Sequence, residues 1–181
     1  MSYTERRTVE RYIIKELQNL GWKYIKPKDM MKIRRSFEEP IVEELFKNAI
    51  KKINDVELTE ADINFILLSL RTIPANIDGV KRFLIDILKN YIVVPLEKEG
   101  EERSIKLIDF ENPENNDFIV TNQFKLEGLK AVIRPDIVLL VNGIPLVLIE
   151  CKSPVREEVT WLDAYKDIKG YERDAPELFK Y

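Results

Sequence analysis

The sequence predicts a mixed α/β (α+β) protein: a helical first half, a largely antiparallel mixed sheet, and a closing helix. Three observations carry this. Apolar residues recur at helical spacing as far as about residue 90. The pattern then changes to short β-rich runs, two of them joined by Asn142-Gly143, the strongest short-range hairpin signal. After Pro154 the helical period returns.

Thr4 to Leu20 sets Val9, Tyr12, Ile13, Glu16, Leu17 and Leu20 near helical spacing, and Gly21 supplies a stop. Ser36 to Ile53 repeats the pattern with Ile41, Val42, Leu45, Phe46, Ala49, Ile50 and Ile53; Pro40 is harmless in a first turn. Thr59 with Asp62 three residues on caps a helix running to Leu70. Asp78 to Lys89 is the next helix. Tyr91 to Leu96 and Ser104 to Phe110 read as strands. Glu111 to Asn116 is a turn cluster and Phe118 to Leu126 a further strand. Val132 to Val141 and Pro145 to Cys151 form the hairpin arms; both are apolar on both faces, so both should be central strands covered on each side. The closing helix carries Val159, Leu162, Ala164, Tyr165, Ile168 and Tyr171, and Trp161 and Tyr165 are expected to pack it down. With no repeat and no linker, residues 1–181 read as one domain: a helical lobe over about 1–90, and a sheet core with closing helix over about 91–181.

At 181 residues and 45% hydrophobic content the chain can bury a sizeable core. A single cysteine, Cys151, excludes an internal disulfide and any multi-cysteine metal site. The absence of histidine removes Ser-His-Asp and Cys-His catalysis and His-based zinc or haem ligation. Acid–base or metal chemistry must therefore run on Asp, Glu, Lys and Tyr. A charged start (Met1 to Thr8), no long apolar run and one cysteine lead to the expectation of a cytoplasmic protein with no membrane partner. The net charge of −3 argues against nucleic-acid binding through bulk charge, though not against a local basic surface. Lys23, Lys26, Lys28, Lys32, Arg34 and Arg35 form such a patch, whose plainer reading is a solvated connector.

Charges stand where the hairpin's apolar pattern asks for none. Asp136 begins one arm; Glu150 and Lys152 end the other. Two carboxylates and a lysine on neighbouring strands are costly to bury unpaired. They make sense around a divalent cation such as Mg2+, which takes hard oxygen ligands. Lys152, two positions from Glu150, shares its side of the strand and there positions or deprotonates a water, or stabilises phosphate charge. Charges at strand ends are also common for structural reasons, and on these residues alone both readings stand. The cation reading makes a demand on register. A two-residue Asn142-Gly143 loop would set Asp136 opposite Ile149, with Asp136 and Glu150 on opposite faces. A three-residue loop pairing Leu140 with Ile144, or a bulge near Pro135, would bring them to one face.

Pro135-Asp136 followed by Glu150-Cys151-Lys152 resembles the PD-(D/E)xK nuclease signature. More fully, the chain resembles the N-terminal nuclease domain of the R (restriction, motor) subunit of type I restriction enzymes. The likeness runs through Leu20-Gly21-Trp22, Leu107-Ile108-Asp109-Phe110, Asn112-Pro113, Asn115-Asn116-Asp117-Phe118 and Asn122-Gln123-Phe124. It continues through Arg134-Pro135-Asp136-Ile137, Asn142-Gly143-Ile144-Pro145-Leu146, Glu150-Cys151-Lys152 and Tyr171 with Pro176-Glu177-Leu178-Phe179.

The resemblance implies a restriction-endonuclease-like core that cuts double-stranded DNA non-specifically. It implies Mg2+, with Mn2+ able to substitute, held by Asp136 and Glu150, with the Cys151 carbonyl as a further ligand and Lys152 assisting the attacking water. Glu10 matches an acidic residue that the family places on the first helix near the metal; its other reading is an exposed helix carboxylate. Tyr171 matches the end of the family's Gln-x-x-x-Tyr, but Asp167 stands in the Gln position, as a metal ligand or a solvated helix residue. Asp167, Tyr171 and Arg134 are the candidate nucleic-acid contacts. The partners implied are the methylation and specificity subunits of a type I complex. No Gly-x-x-x-x-Gly-Lys-Ser/Thr loop occurs, so ATP belongs to helicase motor parts absent from these residues. The alternative is a catalytically inactive module of the same fold that docks DNA or a subunit; a nuclease acting on RNA or repair intermediates is a third reading.

Overall fold

The computed structural model describes residues 3–152 and 160–181, with side chains from Thr8 onward. Pro154 and Val159, predicted at the entry to the closing helix, lie outside the described residues.

Helix α1 spans Tyr3–Asn19. It ends as glycine dictates: Gly21 takes φ 94°, and the Trp22 and Gly21 amides donate back to the Leu17 and Gln18 carbonyls, both at 3.0 Å. Strand β1 (Lys23–Tyr24) and helix α2 (Pro27–Ile33) follow. Helix α3 (Glu43–Ile53) starts later than the predicted Ser36. Ile41 and Val42 are buried, and the Val42 amide donates to the Gly143 carbonyl at 2.9 Å, so this stretch braces the hairpin instead of coiling. Helix α4 (Glu60–Arg71) has the predicted Thr59–Asp62 capping box. The predicted Asp78–Lys89 helix is α5 (Ile77–Lys81), capped by Asn76, running into a π-helical stretch at Arg82–Leu88.

Strands β2 (Ile92–Pro95) and β3 (Glu102–Ile105) make a small antiparallel sheet of their own. The predicted Ser104–Phe110 strand stops at Ile105 because the Lys106 amide turns to the Asn54 side chain and Asp109 organises a turn. The predicted Phe118–Leu126 strand is two pieces, β4 (Phe118–Asn122) and β5 (Leu126–Glu127). Likewise the predicted Val132–Val141 strand divides into β6 (Val132–Ile133) and β7 (Ile137–Val141) at Arg134-Pro135-Asp136. Strand β8 is Ile144–Ile149, and helix α6 is Trp161–Asp174.

The central sheet has the order β1-β4-β7-β8, with β1 parallel to β4 and the other pairs antiparallel. It is the mixed, largely antiparallel sheet expected. One face carries Val120, Ile137, Leu139 and Ile149 against Ile14 and Leu17 of α1. The other carries Ile119, Val138, Leu140 and Leu148 against Tyr171, Ala175 and Leu178. A third cluster joins α3, α4, the π stretch and the β2–β3 sheet to Val141 and Ile144 at the hairpin's turn. Strand β7 is central and wholly buried, as predicted, but β8 is the sheet's edge, and Val147 is 46% exposed. Pro145, which cannot donate a ladder bond, suits an edge strand.

The hairpin loop is the two-residue kind. Val141 pairs with Ile144, and Asn142 and Gly143 both have positive φ, 51° and 80°. Leu140 then pairs with Pro145 but Leu139 with Val147, so Leu146 is an extra residue bulged out of β8. Beyond it Ile137 pairs with Ile149. The structure thus adopts neither register device predicted: the loop is not three residues long and the bulge is not at Pro135. A bulge in the opposite arm does the same work.

The turn itself is locked. The Asn142 side chain accepts from the Asp117 amide at 2.8 Å and donates to the Leu107 carbonyl at 2.9 Å and Asn116 Oδ1 at 2.8 Å. Gly143 lies so close to α3 that a Cβ would stand 2.6 Å from the Phe46 nitrogen and 2.8 Å from the Val42 oxygen. Gly143→Ala therefore combines backbone strain with a backbone clash. Gly100 also has positive φ, 67°, but open space around it, and isolates the strain alone. In urea unfolding, Gly100→Ala is expected to cost about 1–2 kcal/mol and Gly143→Ala distinctly more.

Candidate active site

Asp136 lies one residue before β7 and Glu150 one residue after β8, on the rung beyond the Ile137–Ile149 pair. They face the same side of the sheet, the side of α6. Both are deeply buried: Asp136 is 0% exposed and the Glu150 side chain 1%. Burial on this scale demands partners. Asp136 accepts from the Cys151 amide at 2.8 Å and from Gln123 Nε2 at 3.1 Å. Glu150 accepts from the Tyr171 hydroxyl at 3.3 Å and from Lys152 Nζ at 3.3 Å. The sequence-predicted Asp136, Glu150, Cys151, Lys152 and Tyr171 are thus brought together.

Glu10 joins them from α1. It is 4% exposed, which overturns the reading of an exposed helix carboxylate. It accepts from Asn122 Nδ2 at 3.0 Å and Gln123 Nε2 at 3.2 Å, and Asn122 in turn accepts from the Tyr24 hydroxyl at 2.8 Å. Burial and the neighbouring Glu10 charge push the Tyr24 phenol above its usual pKa, so it stays a donor.

Asn122, Gln123 and Tyr24 are site residues to which sequence reasoning gave no role. The only signal was the phrase Asn122-Gln123-Phe124 within an apparently continuous strand. Gln123 in fact has φ 52°, a left-handed conformation that costs a non-glycine residue about 1–2 kcal/mol and ends β4. The kink is held by Gln123 and Phe124 amides donating to the Asp136 and Pro135 carbonyls at 2.9 and 3.3 Å.

Lys152 also pairs with Asp167 on α6. Partial burial works to lower the lysine's pKa, but the Asp167 hydrogen bond and the Glu150 charge outweigh it and hold it above the ordinary value. Lys152 is therefore an ammonium, a donor and positive charge, in this state. Asp167 is an exposed helix residue, as one of its two predicted readings has it, and it is also the lysine's ion-pair partner. Burial, then the charges of Glu150 and Asp136, raise the Tyr171 phenol, which remains a hydrogen-bond donor to Glu150.

Beside this cluster opens a cleft of about 760 Å3 lined by Gln123, Arg134, Tyr165, Lys166, Asp167 and Tyr171, among others. Arg134 is exposed on its wall. Trp161 and Tyr165, expected to pack α6 down, are exposed; the helix buries none of its residues fully, and Tyr165 lines the cleft. In the basic segment Lys23, Lys26, Lys28, Lys32 and Arg35 are exposed, as the solvated reading expects, but Arg34 is buried, stacked 4.1 Å over the Phe124 ring and donating to the Lys125 and Glu39 carbonyls.

Among the described residues, no three Asp, Glu or Cys side chains gather into a metal cage. The hard-oxygen set is smaller: the two buried carboxylates of Asp136 and Glu150 on one face. That set fits Mg2+, which takes one or two protein carboxylates and completes its shell with water and phosphate.

The fold is mixed α/β with two facing carboxylates and a lysine at the end of its sheet, and sequence comparison gives the family. The family described as type I restriction enzyme R protein N terminus matches residues 2–181, and the chain belongs to it. The putative type I restriction enzyme MjaIXP endonuclease subunit of Methanocaldococcus jannaschii is 34% identical over 96% of this chain and 17% of its own length. The HindI endonuclease subunit of Haemophilus influenzae is 29% identical over 96% of this chain and 17% of its own length. The EcoprrI endonuclease subunit of Escherichia coli is 30% identical over 99% of this chain and 54% of its own length. The chain thus spans about a sixth of the first two relatives and half of the third.

The Lys152 environment gives a titration test. Its raised pKa means that its stabilising contribution is complete below the unfolded lysine pKa and is lost as pH rises through the higher folded value. Asp167→Asn removes the strongest partner, so the Lys152 ammonium, followed by NMR of its side-chain carbons, should titrate at lower pH than in the wild type.

Proposed function

We propose that this chain is the Mg2+-dependent endonuclease region of a type I restriction enzyme R subunit, hydrolysing phosphodiester bonds of double-stranded DNA without sequence preference at the cut. The observation that carries this reading is the β7–β8 register, which the Leu146 bulge sets so that Asp136 and Glu150 face one another with Lys152 beside them. The relatives' names, all endonuclease subunits, support it.

On this reading Asp136, Glu150 and the Cys151 carbonyl hold the cation. When bound, Mg2+ supplies charge neutralisation at the phosphate and a more acidic water. The protein's part is to hold and orient. The Cys151 amide and Gln123 fix the Asp136 carboxylate, and the Tyr171 hydroxyl fixes Glu150. Lys152, kept as an ammonium, orients the attacking water and stabilises the charge that grows on the phosphate; it is the wrong form for a base in this resting state. Its release from Asp167 accompanies the approach of the DNA phosphate, a stronger partner for a lysine freed from one exposed carboxylate. Arg134 and the cleft beside α6 guide the DNA backbone, whose phosphates carry most of the affinity of a non-specific contact.

The methylation and specificity subunits are the partners of the longer protein, and its ATP chemistry lies in motor parts outside these residues. No helix among those described is long and apolar enough to cross a membrane; a cytoplasmic location is part of the proposal.

The test is nicking of supercoiled plasmid with Mg2+ or Mn2+. Wild-type protein should nick, and Asp136→Ala and Lys152→Ala should each lose more than about 100-fold in rate, the order expected when charge stabilisation is removed from a reacting centre. Cleavage that survives both substitutions would overturn the residue assignment. Cation binding without any cleavage would instead favour a docking module of the same fold.

A further inference from the structure

We propose that Gln123 is a positioning residue that joins Glu10 and Asp136 into one divalent-cation site across the end of the sheet. The proposal rests on the metal-dependent reading above and adds to it a residue and a reason for Glu10.

The two carboxylates start from opposite faces. Asp136 shares the face of Val138 and Leu140, the α6 side. Glu10 comes from α1, which covers the other face, and Asn122, its first amide partner, points there from β4. A straight strand would keep the two sets apart. Gln123, kinked to φ 52° as β4 ends, places its Nε2 3.2 Å from Glu10 Oε1 and 3.1 Å from Asp136 Oδ1. One NH2 group thus donates both its protons to carboxylates from segments 113 and 13 residues away.

The kink is braced from behind. Phe124, the next residue, lies under the buried Arg34 guanidinium, which also binds the Lys125 carbonyl. Glu10 is held from its other oxygen by Asn122, itself fixed by Tyr24. Two buried like charges repel, and a shared donor between them offsets part of that repulsion. Without a cation, the Gln123 amide keeps Glu10 and Asp136 converged; with one, it leaves both preset. Residues that orient metal ligands from behind typically account for about 10- to 100-fold in metal affinity.

The experiment is Mn2+ titration by calorimetry, with melting temperatures read in EDTA and in saturating Mn2+, on the wild type, Gln123→Asn, Gln123→Glu and Glu10→Gln. Asparagine tolerates the left-handed backbone but is one methylene too short to span both carboxylates; Mn2+ affinity should fall about 10- to 100-fold and the Mn2+-induced rise in melting temperature should shrink. Glutamate keeps the length but adds a further negative charge. It should melt lower than wild type in EDTA and gain more from Mn2+. Glu10→Gln should weaken Mn2+ binding as Gln123→Asn does. Opposite responses of two variants that lose the same hydrogen bonds are not expected of a residue that only stabilises the fold. Should either Gln123 variant lose its circular dichroism, the other decides. Wild-type affinity in the folded Gln123 variants, or in Glu10→Gln, overturns the proposal while the metal-dependent reading stands. No Mn2+ binding by the wild type overturns both.

Discussion

A strand shows alternate side chains to opposite faces, and that period of two is the constraint on which the site depends. With a tight Asn142-Gly143 loop and a perfect ladder, Asp136 and Glu150 would look away from each other. One extra residue in β8, Leu146, shifts the register beyond it by one and turns both carboxylates to the same face. The bulge falls on the edge strand just after Pro145, where ladder bonds are fewest and a disruption costs least. Everything downstream follows from this shift: the Tyr171 hydroxyl finds Glu150, the Cys151 amide finds Asp136, and Lys152 returns to the same side as both.

The two ends of the hairpin are built to different rules. The closed end is a structural knot. Asn142, Asn116 and Asp109 satisfy one another and the surrounding backbone, and Gly143 lets α3 press directly on the turn. Several phrases that carry the family resemblance, Leu107 to Phe110, Asn115 to Phe118 and Asn142-Gly143, belong to this knot and hold the fold. The open end carries the charge. There the polar groups converge on carboxylates, and two of the donors are aimed by a residue behind them: Tyr24 behind Asn122, and Arg34 behind Phe124 and the kink at Gln123.

What was legible in the sequence was what local chemistry decides. Gly21 ends α1 and the Thr59–Asp62 box opens α4 because a cap needs only its neighbours. The Asn142-Gly143 loop is legible for the same reason, as are Asp136, Glu150 and Lys152, whose charges break an apolar pattern. What was not legible depends on distant partners. The bulge sits at Leu146 and not at Pro135 because β8 turns out to be an edge. Residues Ser36 to Val42 have helical spacing but spend their apolar side chains and the Val42 amide on the hairpin. Gln123 reads as a strand residue until Glu10, far away in the chain, is seen to share its amide. Asp167 had two local readings, and a lysine from across the fold supplied a third.

The distance between these pieces along the chain has its own meaning. Glu10 belongs to the first helix and Lys152 follows β8, and no short stretch of sequence holds the whole constellation. A chain still being synthesised therefore carries the carboxylates long before it carries their arrangement. The hairpin must close, the sheet must form and α1 must dock before the groups meet. For a protein proposed to cut any duplex it can grip, the order of folding itself is a safeguard: the unfinished molecule is harmless because its site is made of tertiary structure alone.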